Sequence, residues 1–249
     1  MLDCYYEPIY RRQDNHFVPA GHKAAIFLKN KASGSYGLQY DPNGEHTSNL
    51  MRLGLSGIPQ LEIIKNQLND FLSQKKLQPN QKMVFELDSV DLARNPFAMD
   101  ELAKFIDNDS SNRMKANDIV IELSCASDID RGDLYSVTYQ LKQIGVMVAL
   151  IDQDVDAFSY SKIIEVKPDI IKFNRSWCDY DLDDAAYLRM IKDVVRNLNT
   201  EGAFTGLTGI RGIREFKFAA ECGFTRCQGR YFGIPSAEME IGDPIAIPH

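Results

Sequence analysis

The sequence predicts an α/β fold, a TIM-like (β/α)8 barrel, on three observations. From Met83 onward, short apolar runs alternate strictly with helical patterns, at intervals of about two to three dozen residues, the length of a βα unit. Six such units plus two opening strands give eight strands, which favours a closed barrel over an open doubly wound sheet. Three successive runs, IVIEL, VMVALID and IIKF, also carry a charged residue toward their ends: Glu122, Asp152 and Lys172. Strands buried on both faces read as near-continuous apolar runs, and in a β/α barrel the chemistry sits where those runs end.

In chain order, Cys4 to Tyr10 is aromatic and β-rich and Ala24 to Leu28 is compact and apolar, with a polar stretch between them that reads as a loop. Lys29 to Ser56 is irregular, punctuated by Gly34, Gly37, Pro42, Asn43 and Gly44; it is expected as either a functional or a mobile loop, and as the first candidate for an interface. From Ile58 to Lys76 the pattern becomes helical, with Leu61, Ile64, Leu68, Phe71 and Leu72 on one face. Strands are then expected from near Met83, Ile119, Val146, Ile170, Ala203 and Arg226, with helices at Met99–Ile106, Leu134–Ile144, Leu188–Leu198 and Ile213–Cys222. Asp179, Asp181, Asp183 and Asp184 precede the third of these helices, where acids suit the positive end of its dipole; they read as a helix start and not as a metal site. No composition break divides the chain, so residues 1–249 are expected to form a single domain.

Composition bounds the function. Apolar residues make up 44% of the 249 and charged ones 25%, enough for a sizeable core. The net charge of -7 argues against nucleic acid, whose backbone requires a basic surface. Cys4, Cys125, Cys178, Cys222 and Cys227 form no C-x-x-C pair and no zinc spacing with the four histidines; they read as reduced, mostly buried thiols of a cytoplasmic protein. The N-terminus lacks the basic and apolar regions of a signal peptide, and no stretch has the length to span a membrane.

At this point the residues resemble the EAL domains, cyclic-di-GMP phosphodiesterases built on a modified TIM barrel with an antiparallel opening strand. YYEPIY at 5–10 looks like the family's first strand and IVIEL at 119–123 like the strand ending in a metal-binding glutamate. GVMVALID at 145–152 is similar to the strand with paired aspartates, and IIKFNRSW at 170–177 to the lysine strand. GFTRCQGRYFGIP at 223–235 resembles the closing Gln-Gly strand.

The departures bear on chemistry. The family's name-giving triplet falls on Lys23-Ala24-Ala25, so a lysine stands where the resemblance implies a metal-binding glutamate. The asparagine ligand falls on Glu86, the first of the paired aspartates on Ile151, and the glutamates of a later segment on Thr208 and Arg211. The arginine assigned to phosphate contact falls on Phe27, and the glycine-bearing loop after the aspartates is replaced by Gln153-Asp154-Val155-Asp156. Glu122, Asp152, Lys172 and Gln228 survive. Hydrolysis by hard divalent ions needs several oxygen ligands, and an ammonium, an isoleucine and a threonine supply none to a cation. The expectation is therefore a catalytically inactive member with no metal and no other cofactor, acting as a protein-binding regulator of motility, biofilm or virulence programmes. Lys23 is expected among Glu86, Glu122 and Asp152, replacing the metal's charge. Lys172, Gln228 and Gly229 are the candidate nucleotide contacts, with a metal-independent cyclic-di-GMP sensor and a residual phosphodiesterase as the alternatives. A homodimer is a further candidate assembly. Asp152–Asp156 resembles the start of a calcium loop but lacks its glycine and its closing glutamate, and reads as accidental. Trp177, Tyr180 and Tyr187 read either as a partner-binding patch or as outer-layer packing.

Overall fold

The computed structural model describes residues 2–29, 36–37, 60–74, 81–108, 115–124, 129–153 and 158–248; the side chains of 2–3, 25–29, 36–37, 60–61, 63, 71–72, 74, 96, 107–108, 124 and 152–153 lie outside the description. Eight strands close into a ring. They are β1 (Leu2–Gln13), β2 (His16–Lys29), β4 (Lys82–Asp88), β5 (Ile119–Ser124), β6 (Met147–Gln153), β7 (Ile170–Phe173), β8 (Phe204–Leu207) and β9 (Arg226–Gln228). Strands β2 and β4 to β9 run parallel in that order, and β1 lies antiparallel between β9 and β2, closing the barrel. Two short strands, β3 (Tyr36–Gly37) and β10 (Ile245–Ala246), add to β2 from outside the ring.

The opening of the chain differs from the sequence expectation. The polar stretch after Tyr10 is not a loop: β1 and β2 continue through it as one long hairpin, turning only at Asp14-Asn15, with Asp14 in the left-handed region at φ 53. Asp tolerates that conformation better than most residues, which permits so short a connection. Arg11, Arg12, Gln13 and His16 are polar because they face solvent at the end of the hairpin, and exposure imitates a loop in the sequence. Of the irregular Lys29–Ser56 segment, Lys29 belongs to β2 and Tyr36–Gly37 form β3; the remainder lies outside the described residues.

Helices fill the connections. They are α1 (Gln60–Gln74), α2 (Ser89–Arg94), α3 (Pro96–Asn108), α4 (Arg131–Ile144), α5 (Tyr160–Val166), α6 (Ala185–Thr200) and α7 (Ile213–Cys222). Ile64 and Leu68 of α1 are buried as its periodicity predicts. The short α2 and α5 escape the periodicity reading because they hold fewer than two full turns of pattern. Their starts are nevertheless written locally: Asp88 accepts hydrogen bonds from the amides of Val90 and Asp91, and Ser159 from that of Lys162. Asp130 and Asp184 cap α4 and α6 in the same way, so of the four acids before α6 Asp184 serves the helix start, while Asp179 pairs with Arg175 and Asp181 and Asp183 lie against Arg214. Among the described residues, no helix is long and apolar enough to cross a membrane.

Strand alternation divides the core. Ile9, Val84, Val120, Ala149 and Ile170 pack together inside the ring, with Met147 against them. Their neighbours Phe85, Leu87, Ile121, Leu123, Val148, Leu150, Ile171 and Phe173 belong to the larger core outside it, shared with the helices. Side chains two residues apart on a strand share a face. Glu86, Glu122, Ile151 and Lys172 therefore turn inward one layer above the apolar plug, at the C-terminal mouth of the barrel, and Glu7 does so from the reversed β1.

Candidate functional site

The mouth is spanned by a chain of charged contacts. Lys23, from β2, places its Nζ 3.0 Å from Glu86 Oε2 and 2.7 Å from Glu122 Oε2. The other oxygen of Glu122 receives the Lys172 ammonium. Lys172 Nζ also donates to Gln228 Oε1 at 2.8 Å, and Gln228 Nε2 donates to Glu7 Oε2 at 2.7 Å. Glu7 is the register partner of Lys23 across β1 and β2, so the series Glu86–Lys23–Glu122–Lys172–Gln228–Glu7 ends on the strand beside Lys23. Glu7, Lys23, Glu122, Lys172 and Gln228 are all buried, Glu122 fully so, and only Glu86 is partly open.

Electrostatics keep this network ionised where the pairing is tightest. Burial alone would raise the Glu122 carboxyl, but Lys172 and Lys23 outweigh it and bring it down to about 2. Burial would likewise lower Lys23, yet Glu122 and Glu86 hold its ammonium above the ordinary lysine range. Burial pushes Lys172 down; Glu122 offsets only part of that, and the second ammonium of Lys23 adds to the depression. Lys23 is the firmer cation because it has two carboxylates, whereas Lys172 shares one.

The metal that the family resemblance implies does not fit these residues. Hard divalent ions need several oxygens free to converge. Here both oxygens of Glu122 and one of Glu86 already meet ammonium groups, and Glu7 is held by Gln228. A cation placed among them would stand beside Lys23 Nζ and be repelled by it. Glu86 Oε1 is buried without a hydrogen-bond partner among the described residues, but the Glu122 oxygens face the two ammonium groups, and a single carboxylate oxygen does not make a site.

The remaining expected residues divide. Ile151 is buried on the same strand layer and offers no donor. Asp152 lies near the end of β6, but its side chain is outside the described residues, as are the side chain of Phe27, the acidic stretch 154–156 and Cys125. Thr208 is not part of the network: its hydroxyl donates to the Phe173 carbonyl at 3.2 Å, bracing β8 against β7. Arg211 turns instead to Glu215 at the start of α7. Gly229 serves packing, since at φ 141 a Cβ there would run into the backbone N and O of Ile210. Trp177 is buried, edge-on to Phe158 and Phe173, while Tyr187 donates its hydroxyl to the Trp177 carbonyl at 2.7 Å and stacks on the exposed Tyr180. For Trp177 the packing reading holds. Cys178, Cys222 and Cys227 are free thiols.

Sequence reasoning missed Glu7 as a member of the site. The signal was a lone acid inside the aromatic run YYEPIY, where a buried carboxylate requires a partner.

The comparisons with known proteins agree with this architecture. The EAL domain model matches residues 52–235, a span that leaves out β1, β2 and with them Lys23. No curated protein matches the sequence. Among solved structures, the Bacillus subtilis YkuI protein, which has an EAL domain and was solved with its substrate cyclic-di-GMP and calcium, superposes with a TM-score of 0.75 at 16% identity over 97% of this chain and 56% of that one. The chain thus spans little more than half of YkuI. The FimX EAL domain of Pseudomonas aeruginosa bound to cyclic-di-GMP gives 0.71 at 17% identity over 97% and 93% of the two chains. An EAL domain protein of Listeria monocytogenes gives 0.69 at 15% identity over 95% and 89%. At such identities the likeness is one of fold, and the family follows from the matched span, which covers well over half of the sequence: this chain belongs to the EAL domain family.

Proposed function

We propose that this chain is a catalytically inactive EAL domain of cyclic-di-GMP signalling, working in the cytoplasm as a regulatory protein-binding module. One observation carries the reading: the Lys23 ammonium lies between Glu86 and Glu122, within 3.0 Å of each, where the resemblance calls for carboxylates gathered round a metal. Cleavage of a phosphodiester at this mouth requires polarisation of the phosphoryl oxygen and an activated water. An ammonium can do the first weakly, and it cannot lower the pKa of a bound water as a metal does. Lys172 and Gln228, the residues most suited to touch a nucleotide, are already bonded to each other and to Glu122 and Glu7. A fold kept without its chemistry is retained for its surface, because function resides in sites and not in folds.

The test is calorimetric titration with cyclic-di-GMP, once with magnesium and once with a chelator. The reading expects no heat in either buffer. Binding in both would make the chain a metal-independent sensor built on Lys172 and Gln228. Binding only with magnesium would overturn the reading and call for a hydrolysis assay.

A further inference from the structure

The opposite end of the barrel holds a second charged feature that the mouth does not explain. Arg226 opens β9 and pairs in register with Gly206, which in turn pairs with Lys172, so all three lie on the inner face of the ring. Gly206 carries no side chain, leaving room between two cations that diverge from one level. Lys172 rises to Glu122 at the mouth, and the guanidinium of Arg226 lies 4.7 Å from the centre of the Phe204 ring at the strand's N-terminal end. Directly across β1 and β9, on the same face, stands Arg11.

Like charges opposite each other in a sheet are destabilising, and among the described residues this pair has no counter-charge. Among the described residues neither arginine enters an ion pair, and the Nε of Arg226 is buried without a hydrogen-bond partner. Of the acids at that end of the strands, Asp118 is committed to Lys82 and Asp169 to Lys142, and Asp14, at the turn of the hairpin, makes no ion pair with either arginine among the described residues. Arg12, next along β1, spends its guanidinium on the Ala220 carbonyl. Burial first, and Arg11 second, bring Arg226 down to about 10, a measure of how poorly its charge is compensated. Contact with one aromatic face offsets part of that cost but gives no acceptor to the N–H groups.

We infer that Arg226 and Arg11 form an anion site at the barrel floor whose ligand is a phosphate-class oxyanion, either free or as the phosphoryl group of a small ester. Guanidinium groups present parallel N–H donors that match phosphate oxygens in pairs, and two of them balance a dianion better than a single carboxylate. Arg11 is exposed, so the pair is open to solvent from below, while Arg226, half-buried over Phe204, supplies a fixed donor that need not be ordered on binding.

Isothermal titration with inorganic phosphate, and separately with adenosine 5′-monophosphate, at constant ionic strength set by chloride tests the site. The wild type binds at least one of the two. Arg226→Gln and Arg11→Ser each weaken that binding by about tenfold or more, as loss of a bidentate donor requires. Arg11 is exposed, and an unchanged melting temperature of Arg11→Ser checks its fold, so that variant decides the matter even where Arg226→Gln folds poorly. Equal affinity for the two probes identifies free phosphate as the source; tighter binding of the nucleotide identifies a phosphate ester. No heat with either probe, or an Arg11→Ser protein that binds as tightly as the wild type, overturns the inference.

Discussion

Lys23 Nζ and Glu122 Oε2 lie 2.7 Å apart inside the mouth of the barrel, and neither residue has appreciable access to solvent. This pair is the centre of the site, since Glu122 also receives Lys172 and Lys23 also receives Glu86. Removing one partner of a buried ion pair leaves the other uncompensated, which is far costlier than losing a surface bridge. Lys23→Met is expected to lower unfolding stability by about 3 kcal/mol, measured by urea denaturation. Glu122→Gln should cost a similar amount, and the double variant less than the sum of the two, because the residues share one interaction. Strict additivity would contradict the network.

Acid sensitivity follows from the same carboxylate. The folded-state value of Glu122 is lowered from 4.5 to about 2, so the folded protein binds its proton less readily than the unfolded chain. Its contribution to stability is present above about pH 4.5 and is lost as pH falls toward about 2. Lys23 has the opposite kind of shift, raised from 10.5, and its contribution is intact throughout that acid window. Urea midpoints measured from pH 5 downward should therefore fall, and Glu122→Gln should flatten part of the slope.

Gly229 is expected to tolerate no side chain. Its φ of 141 is disfavoured for other residues, and an added Cβ meets the Ile210 backbone, which cannot move without disturbing β9 where the barrel closes. Gly229→Ala should cost about 2 kcal/mol or more, seen as a fall of several degrees in Tm. A Tm within a degree of the wild type would place the constraint elsewhere.

The cap of α6 gives a smaller effect. Asp184 accepts from the amides of Ala186 and Tyr187, and Asp184→Ala should cost about 1 kcal/mol in the same urea assay. Tyr187→Phe removes the hydroxyl that holds the Trp177 carbonyl and should cost a similar amount, about 1 kcal/mol. Trp177 is the single tryptophan of the chain, so its fluorescence reports the loosening directly.

The legibility of the fold and the site in the sequence divides along physical lines. Inner strands such as β5 and β6 announce themselves because both faces are buried, and VIEL or VMVAL can hardly be anything else. The hairpin of β1 and β2 was hidden because its far end is solvent-exposed, and Arg11 to His16 imitate a loop by their polarity alone. The pairing of Lys23 with Glu86 and Glu122 could be anticipated once each was assigned to a strand end, since buried carboxylates need a cation. The Glu7–Gln228 contact could not, because it joins residues 221 apart and depends on how the first strand meets the last. The short α2 and α5 were missed for want of pattern, although their Asp and Ser caps were present. Arg226 carried no signal at all in one dimension: its isolation follows from which residues surround it in the closed ring.

Whether the Lys23 ammonium stands in for a divalent cation is decided by thermal unfolding of the wild type and of Lys23→Glu in chelator and in magnesium. The wild-type Tm should be indifferent to magnesium. The Lys23→Glu protein should melt several degrees lower in chelator, where its clustered carboxylates repel, and regain part of the loss when magnesium is added. A wild-type Tm that rises with magnesium, or a Lys23→Glu protein as stable as the wild type in chelator, would contradict that role for Lys23.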